Sequence, residues 1–177
     1  MNAETKYYIN NIADRLANRE YSAQVLDVEK LVKDLGGTII EKEAFDDLCD
    51  TTAIKTGDNT FIINIAKNQD AVNKRKSIAR SLGNVVLHMG FISNHPKWDK
   101  FEDGICVKFS TFTHEVQASE FAMALLMPKS EYKKILERNT RDNVVDVSEV
   151  AKHFQVSTYD VINRGKNLGL INIPNRY

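Results

Sequence analysis

Ile78-Ala79-Arg80-Ser81-Leu82-Gly83-Asn84-Val85-Val86-Leu87-His88 sets the helical rhythm at the centre of the chain. Ile78, Leu82, Val85, Val86 and Met89 recur at helical spacing, so Asp70 to Met89 reads as an amphipathic helix with one face turned to a core. The basic run Lys74-Arg75-Lys76 near its start reads as a solvated face. A second helix is written in Glu115 to Met127. There Ala118, Phe121, Ala122, Leu125 and Leu126 keep the i, i+3, i+4, i+7 rule, and Pro128 ends the run. Glu115 falls in the first turn of that stripe, where it can look toward the first helix.

Working outward, Lys6 to Leu16 predicts an opening helix, because Tyr8, Ile12 and Leu16 recur every fourth residue. Val25 to Leu35 predicts another, stopped by Gly36-Gly37. Thr38 to Glu41, Thr52 to Lys55 and Thr60 to Ile65 are short β-branched or aromatic runs, and Thr56-Gly57-Asp58-Asn59 is a hairpin turn between the last two. A small three-stranded antiparallel sheet is expected from them. Residues 90–113, with Pro96, Trp98 and Gly104, read as a long irregular excursion with a short strand at Ile105 to Phe109.

The two central helices together resemble the ImmA/IrrE family of small metallopeptidases. That family's first motif helix reads A-H-E-L-G-H-x-x-L-H and its second E-x-x-A-N-x-F-A-x-x-L-L-M-P. Ala79, Leu82, Gly83, Leu87 and His88 fit the first pattern; Glu115, Ala118, Phe121, Ala122 and Leu125 to Pro128 fit the second. The resemblance covers residues 25–171. It implies an α+β fold in which zincin-like helices pack on a small antiparallel β-sheet, followed by a C-terminal helix-turn-helix-like segment. The expected organisation is an N-terminal helix over 1–24, a metallopeptidase-like core over 25–130 and the helical segment over 131–177.

In an active member the two histidines of H-E-x-x-H stand one turn apart on one face and hold zinc, while the glutamate takes a proton from the metal-bound water. In this chain those places hold Arg80, Ser81 and Asn84. Arginine stays protonated and offers no lone pair, serine is no base at neutral pH, and an asparagine amide is a poor zinc ligand beside imidazole. Of the implied ligands only Glu115 remains, so no catalytic residue and no cofactor is expected. An Arg80–Glu115 ion pair is the expected replacement, tying the two helices together where the metal would sit. The rescue of an enzyme reading is a relocated metal site at His88, His114 and Glu115.

The last third adds a second motif. Asp146 to Phe154, a turn at Gln155-Val156-Ser157, and Thr158 to Leu168 resemble a helix-turn-helix, with Ser157 as cap and Gly169 as stop. Such motifs set the second helix in the major groove. The nucleic-acid candidates are Thr158, Tyr159, Asp160 and Asn163 for bases, with Arg164, Lys166 and Asn167 for phosphates. Asp160 at the helix start repels phosphate, so structural or protein-contact use is placed above DNA binding.

Composition bounds the partners. The chain has 177 residues, 42% hydrophobic, and 24 basic against 24 acidic side chains, so no global field draws it to nucleic acid or an anionic membrane. No run approaches the roughly 18 apolar residues of a membrane span. Met1 to Leu16 is polar with an amphipathic rhythm and reads as no signal peptide. The expected compartment is the cytoplasm, with Cys49 and Cys106 reduced and structural. Two classes of function follow. One is a catalytically inactive pseudo-metallopeptidase that regulates a phage or mobile-element repressor, or a related partner, by protein binding. The other is an active metal-dependent peptidase and anti-repressor with a relocated site. A weaker third is a DNA-binding regulator working through residues 146–171.

Overall fold

The computed structural model describes residues 1–20, 25–43, 51–109 and 111–172. The fold is α+β. Helix α1 (Ala3–Glu20) and helix α2 (Val28–Asp34) precede strands β1 (Gly37–Lys42), β2 (Thr51–Gly57) and β3 (Thr60–Ala66). Helix α3 (Ala71–Asn84) continues into a π-helical turn at Val85–Met89 that ends on Gly90. A short helix α4 (His95–Trp98) and strand β4 (Cys106–Lys108) follow, then α5 (Phe112–Leu126).

Asp27 and Asp70 cap α2 and α3 by accepting the backbone N–H groups of Lys30 and Asn73, which satisfies donors that the first helical turn leaves without partners. Gly90 adopts φ 89°, the left-handed conformation that stops the π turn.

The sheet order is β1-β3-β2-β4. The expected hairpin forms, with β2 antiparallel to β3. The wholly antiparallel sheet does not: β1 runs parallel to β3, from Gly37 opposite Phe61 to Lys42 opposite Ala66. The physical reason is β3 itself. Phe61, Ile63 and Ile65 are all buried, so the most apolar strand takes the centre and pairs on both edges. A parallel neighbour then requires a crossing connection instead of a tight turn. Strand β4 closes the other edge against β2.

Cys106, expected to be structural, is a free thiol exposed on that edge strand; Cys49 lies outside the described residues. The excursion over 90–109 is pinned by Trp98, buried against Phe91 at 5.0 Å between ring centroids. Its indole N–H donates to the Asp58 carbonyl in the hairpin turn at 2.8 Å. Phe91 in turn meets Phe61 edge-on at 4.9 Å.

Past Pro128 the chain forms a further helix, α6 (Lys129–Arg138), which the expectations above do not include. Tyr132, Ile135 and Leu136 are its buried stripe. A small hairpin, β5 (Thr140–Arg141) with β6 (Val144–Val145), leads to α7 (Val147–Phe154) and α8 (Thr158–Asn167). One hydrophobic core runs through the three expected segments, from Ile9 and Leu16 of α1 through Ile78 and Phe121 to Phe154 and Val161. Among the described residues no helix is long and apolar enough to cross a membrane.

Helices α3 and α5 approach closely because Gly83 faces Phe121. A Cβ at that position would lie 2.9 Å from a Phe121 ring carbon and 3.2 Å from the Ala118 carbonyl oxygen. Gly83→Ala is expected to lower stability by on the order of 1 kcal/mol in urea unfolding, since the overpacking cost exceeds the gain in helix propensity. An unchanged midpoint would show that Phe121 has room to yield.

Candidate functional site

The motif positions lie where α3 meets α5. Ser81 and Asn84 are 1% and 3% exposed, turned into the protein. Neither Ser81 Oγ nor Asn84 Oδ1 has a hydrogen-bond partner among the described residues. Arg80 is half-buried, has an interaction of its own, and borders a polar hollow with Asn68, Gln69 and Lys76 at the start of α3. Glu115 is exposed in the first turn of α5. There its charge favours the positive end of the helix dipole, while Thr111 caps the helix by accepting the His114 N–H at 3.2 Å.

The expected bridge between the helices is not found. Among the ion pairs of the described residues none joins Arg80 to Glu115; α3 and α5 instead contribute Lys76 to a pair with Asp160 at 2.6 Å and Glu120 to a pair with Arg164 at 3.4 Å. Close packing at Gly83 joins α3 to α5 without a charge pair. The buried ion pair of α5 uses Glu120, a residue that sequence reasoning did not single out. The available signal was positional: Glu120 lies five residues after Glu115, off the family's ligand face.

His88 and His114, the two imidazoles of the relocated-site reading, do come together. Their ring centroids are 4.2 Å apart, and Phe109 lies 6.2 Å from His88. His88 Nε2 lies 3.3 Å from the backbone oxygen of His114, so as the N–H tautomer it donates to that carbonyl. Burial, with His114 beside it, lowers the His88 pKa to about 4, so the ring is neutral at pH 7.

A zinc ion does not fit this donor set. Arg80 offers no lone pair, Asn84 offers only an amide, Glu115 is the one carboxylate left at the family's ligand places, and His88 Nε2 is directed at a carbonyl. Among the described residues no group of three or more His, Cys, Asp or Glu side chains could hold a metal.

The helix-turn-helix outline is present in α7, the turn at Gln155 and α8, with Asp146 and Ser157 as caps. Its second helix is docked, however. Arg164, expected on phosphates, is 1% exposed. Its Nε donates to the Met127 carbonyl at 3.1 Å, and one terminal nitrogen donates to Asn10 Oδ1 at 2.7 Å and to Glu120 Oε1 at 3.4 Å. Asp160 is also buried, gripped by Lys76 of α3 and by Ser157. Thr158, Tyr159, Lys166 and Asn167 remain exposed, and Asn163 is half-buried. The predicted base-reading helix is thus partly core, because the arginine that looked like a phosphate ligand satisfies a buried carboxylate.

A small mixed sheet carrying a closely paired helix couple, with motif positions on both helices, defines a zincin-like α+β domain. The family model of the IrrE N-terminal-like domain (Peptidase_M78) matches residues 23–164, so the chain belongs to that family. A solved transcriptional regulator of Mycobacterium tuberculosis has the same fold, at 18% identity and a TM-score of 0.58. The similarity covers 96% of this chain and 48% of the regulator, so this chain spans about half that protein's length. No curated protein sequence matches.

Proposed function

We propose that this chain is a non-catalytic member of its family that acts by binding a protein partner, in the regulation of a phage or mobile-element repressor or a related regulator. The observation that carries the reading is the trio Arg80, Ser81 and Asn84 at the family's ligand and base positions. Two of the three, Ser81 and Asn84, are buried with polar atoms that lack hydrogen-bond partners. Loss of one function could be compensated; loss of both imidazoles and the base leaves nothing to hold or activate a water. The docked α8 supports protein contact over duplex DNA, since Arg164 and Asp160 are engaged inside the protein. The compartment proposed is the cytoplasm.

The test is elemental analysis of protein purified without chelator. The native chain is expected to lack stoichiometric zinc, while the triple variant Arg80→His/Ser81→Glu/Asn84→His takes up about one ion per chain, the two restored imidazoles joining Glu115 as ligands and the restored glutamate serving as base. Stoichiometric zinc in the native protein would return the relocated site at His88, His114 and Glu115, and with it the peptidase reading.

A further inference from the structure

Helices α5 and α8 enclose a groove of about 640 Å³, bordered on its third side by Lys76 of α3. Val116, Ser119 and Met123 line it from α5 and Tyr159, Asn163 and Lys166 from α8. The first set stands at i, i+3, i+7 and the second at i, i+4, i+7. Each row therefore spans about 10 Å of helix axis. Two helices presenting such rows to one groove offer the ridges into which a third helix seats.

The walls are fixed before any partner arrives. Arg164 ties α8 to Glu120 and to the Met127 carbonyl, and Lys76 ties α3 to Asp160.

Two further observations define what fits. Phe112 precedes Val116 by one turn on the same stripe of α5 and is 82% exposed, and Tyr159 is 69% exposed. The stripe from Phe112 to Met123 thus runs about 16 Å, or three turns, with Tyr159 uncovered on the α8 wall and Phe112 uncovered on α5 one turn before the groove begins. Exposed aromatic side chains beside a groove are the usual anchors of a protein interface. The charge of the groove is balanced. Glu115 and Lys166 are both exposed and neither is in an ion pair among the described residues, while the Lys76 charge is taken up by Asp160. A polyanion would gain little here, whereas a segment carrying one base and one acid would match both free charges.

We propose that the α5–α8 groove docks an amphipathic helix of the partner protein, about three turns long, with apolar anchors at i, i+3 or i+4 and i+7 and with one basic and one acidic side chain for Glu115 and Lys166. This inference rests on the protein-binding reading above and assigns it a surface and a segment.

The test is selection of displayed helical segments of about 14 residues on the full chain, followed by fluorescence polarisation of the enriched peptides. The comparison variants are Phe112→Asp, Tyr159→Asp and Lys166→Glu, all at exposed positions, with circular dichroism confirming their fold. Enrichment of the stated pattern is expected, with affinity falling about tenfold or more for either aromatic variant. Lys166→Glu is expected to prefer peptides whose acid is changed to lysine.

The proposal is overturned if no helical pattern is enriched, or if enriched peptides bind the variants as well as the native chain. Duplex DNA binding that weakens in Lys166→Glu, without a helical pattern, would overturn it in favour of nucleic acid. The zinc measurement separates the two readings. A metal-free protein with no enriched helix loses this groove and keeps the non-catalytic assignment, whereas a zinc-loaded native protein loses that assignment whatever the selection gives.

Discussion

Replacing Arg164 by alanine is expected to lower the stability of the chain by about 3–5 kcal/mol, the cost of leaving a buried charge without its partner. The guanidinium is buried among three helices: it reaches Glu120 on α5, Asn10 on α1 and the Met127 carbonyl that ends α5. Asn10 also donates to Glu120 Oε1 at 2.8 Å, so one carboxylate is shared by an amide and an arginine. Burial pulls the Arg164 pKa down, while Glu120, Asp14 and Tyr132 push it back up. Nearby, burial raises the Asp14 carboxyl and Arg164 opposes that rise. Removing the arginine therefore affects two carboxyl groups. Urea unfolding followed by Trp98, the single tryptophan, reads the loss. The double variant Glu120→Gln/Arg164→Met is expected to lose less than Arg164→Ala alone, because it leaves no charge behind in the interior. A loss below about 1 kcal/mol for the single variant would mean that the site behaves as an exposed pair and that α8 is held by packing alone.

That network explains why the terminal helices could be read from sequence only in part. The apolar rhythm of α7 and α8 was legible, as were their caps Asp146 and Ser157, because caps and stripes are local chemistry. The role of Arg164 was not. An arginine on a recognition-like helix carries the same letters whether it meets a phosphate or a buried glutamate 44 residues away in the chain. Helix α6 carries an ambiguous signal, because Pro128 both ends α5 and, next to Lys129, suits the start of a new helix. In the sheet, the hairpin turn at Asp58-Asn59 fixed the β2–β3 pairing locally, whereas the parallel pairing of β1 depends on a crossing that no local signal announces.

The motif helices were the most legible part, and the structure gives a physical reason. Gly83 must stay small because Phe121 and the Ala118 carbonyl lie against it, so the G and F-A letters of the two patterns are packing requirements of one helix crossing. Packing of this kind is independent of the chemistry at Arg80, Ser81 and Asn84. A chain can therefore retain the helix pair of a metallopeptidase while the polar positions between them change, and fold similarity alone does not assign the reaction.

The imidazole of His88 should make the protein weaken in mild acid. Burial and the neighbouring His114 hold its pKa at about 4 in the folded protein, against 6.5 for the free side chain, with Lys97 pushing the same way and the His114 carbonyl opposing. Below pH 6.5 the unfolded chain takes up a proton that the folded chain refuses until about pH 4, so stability falls as the pH drops through that window and levels off beneath it. At about 1.4 kcal/mol per pH unit, the interval from 6.5 down to about 4 sets the loss at roughly 3 kcal/mol. Unfolding free energies measured from pH 7.5 to 4 will also contain the titration of carboxylates, so the informative quantity is the difference between the native chain and His88→Phe. The phenyl ring keeps a flat apolar face toward Phe109 and His114 and has no proton to gain. The variant is expected to lose the hydrogen bond to the His114 carbonyl at every pH and to show a shallower decline between pH 6.5 and 4. Parallel pH profiles for the two proteins would show that His88 protonates in the folded state without penalty. In that case the imidazole pair is open enough to titrate, and the assignment of His88 as a neutral buried donor would be lost.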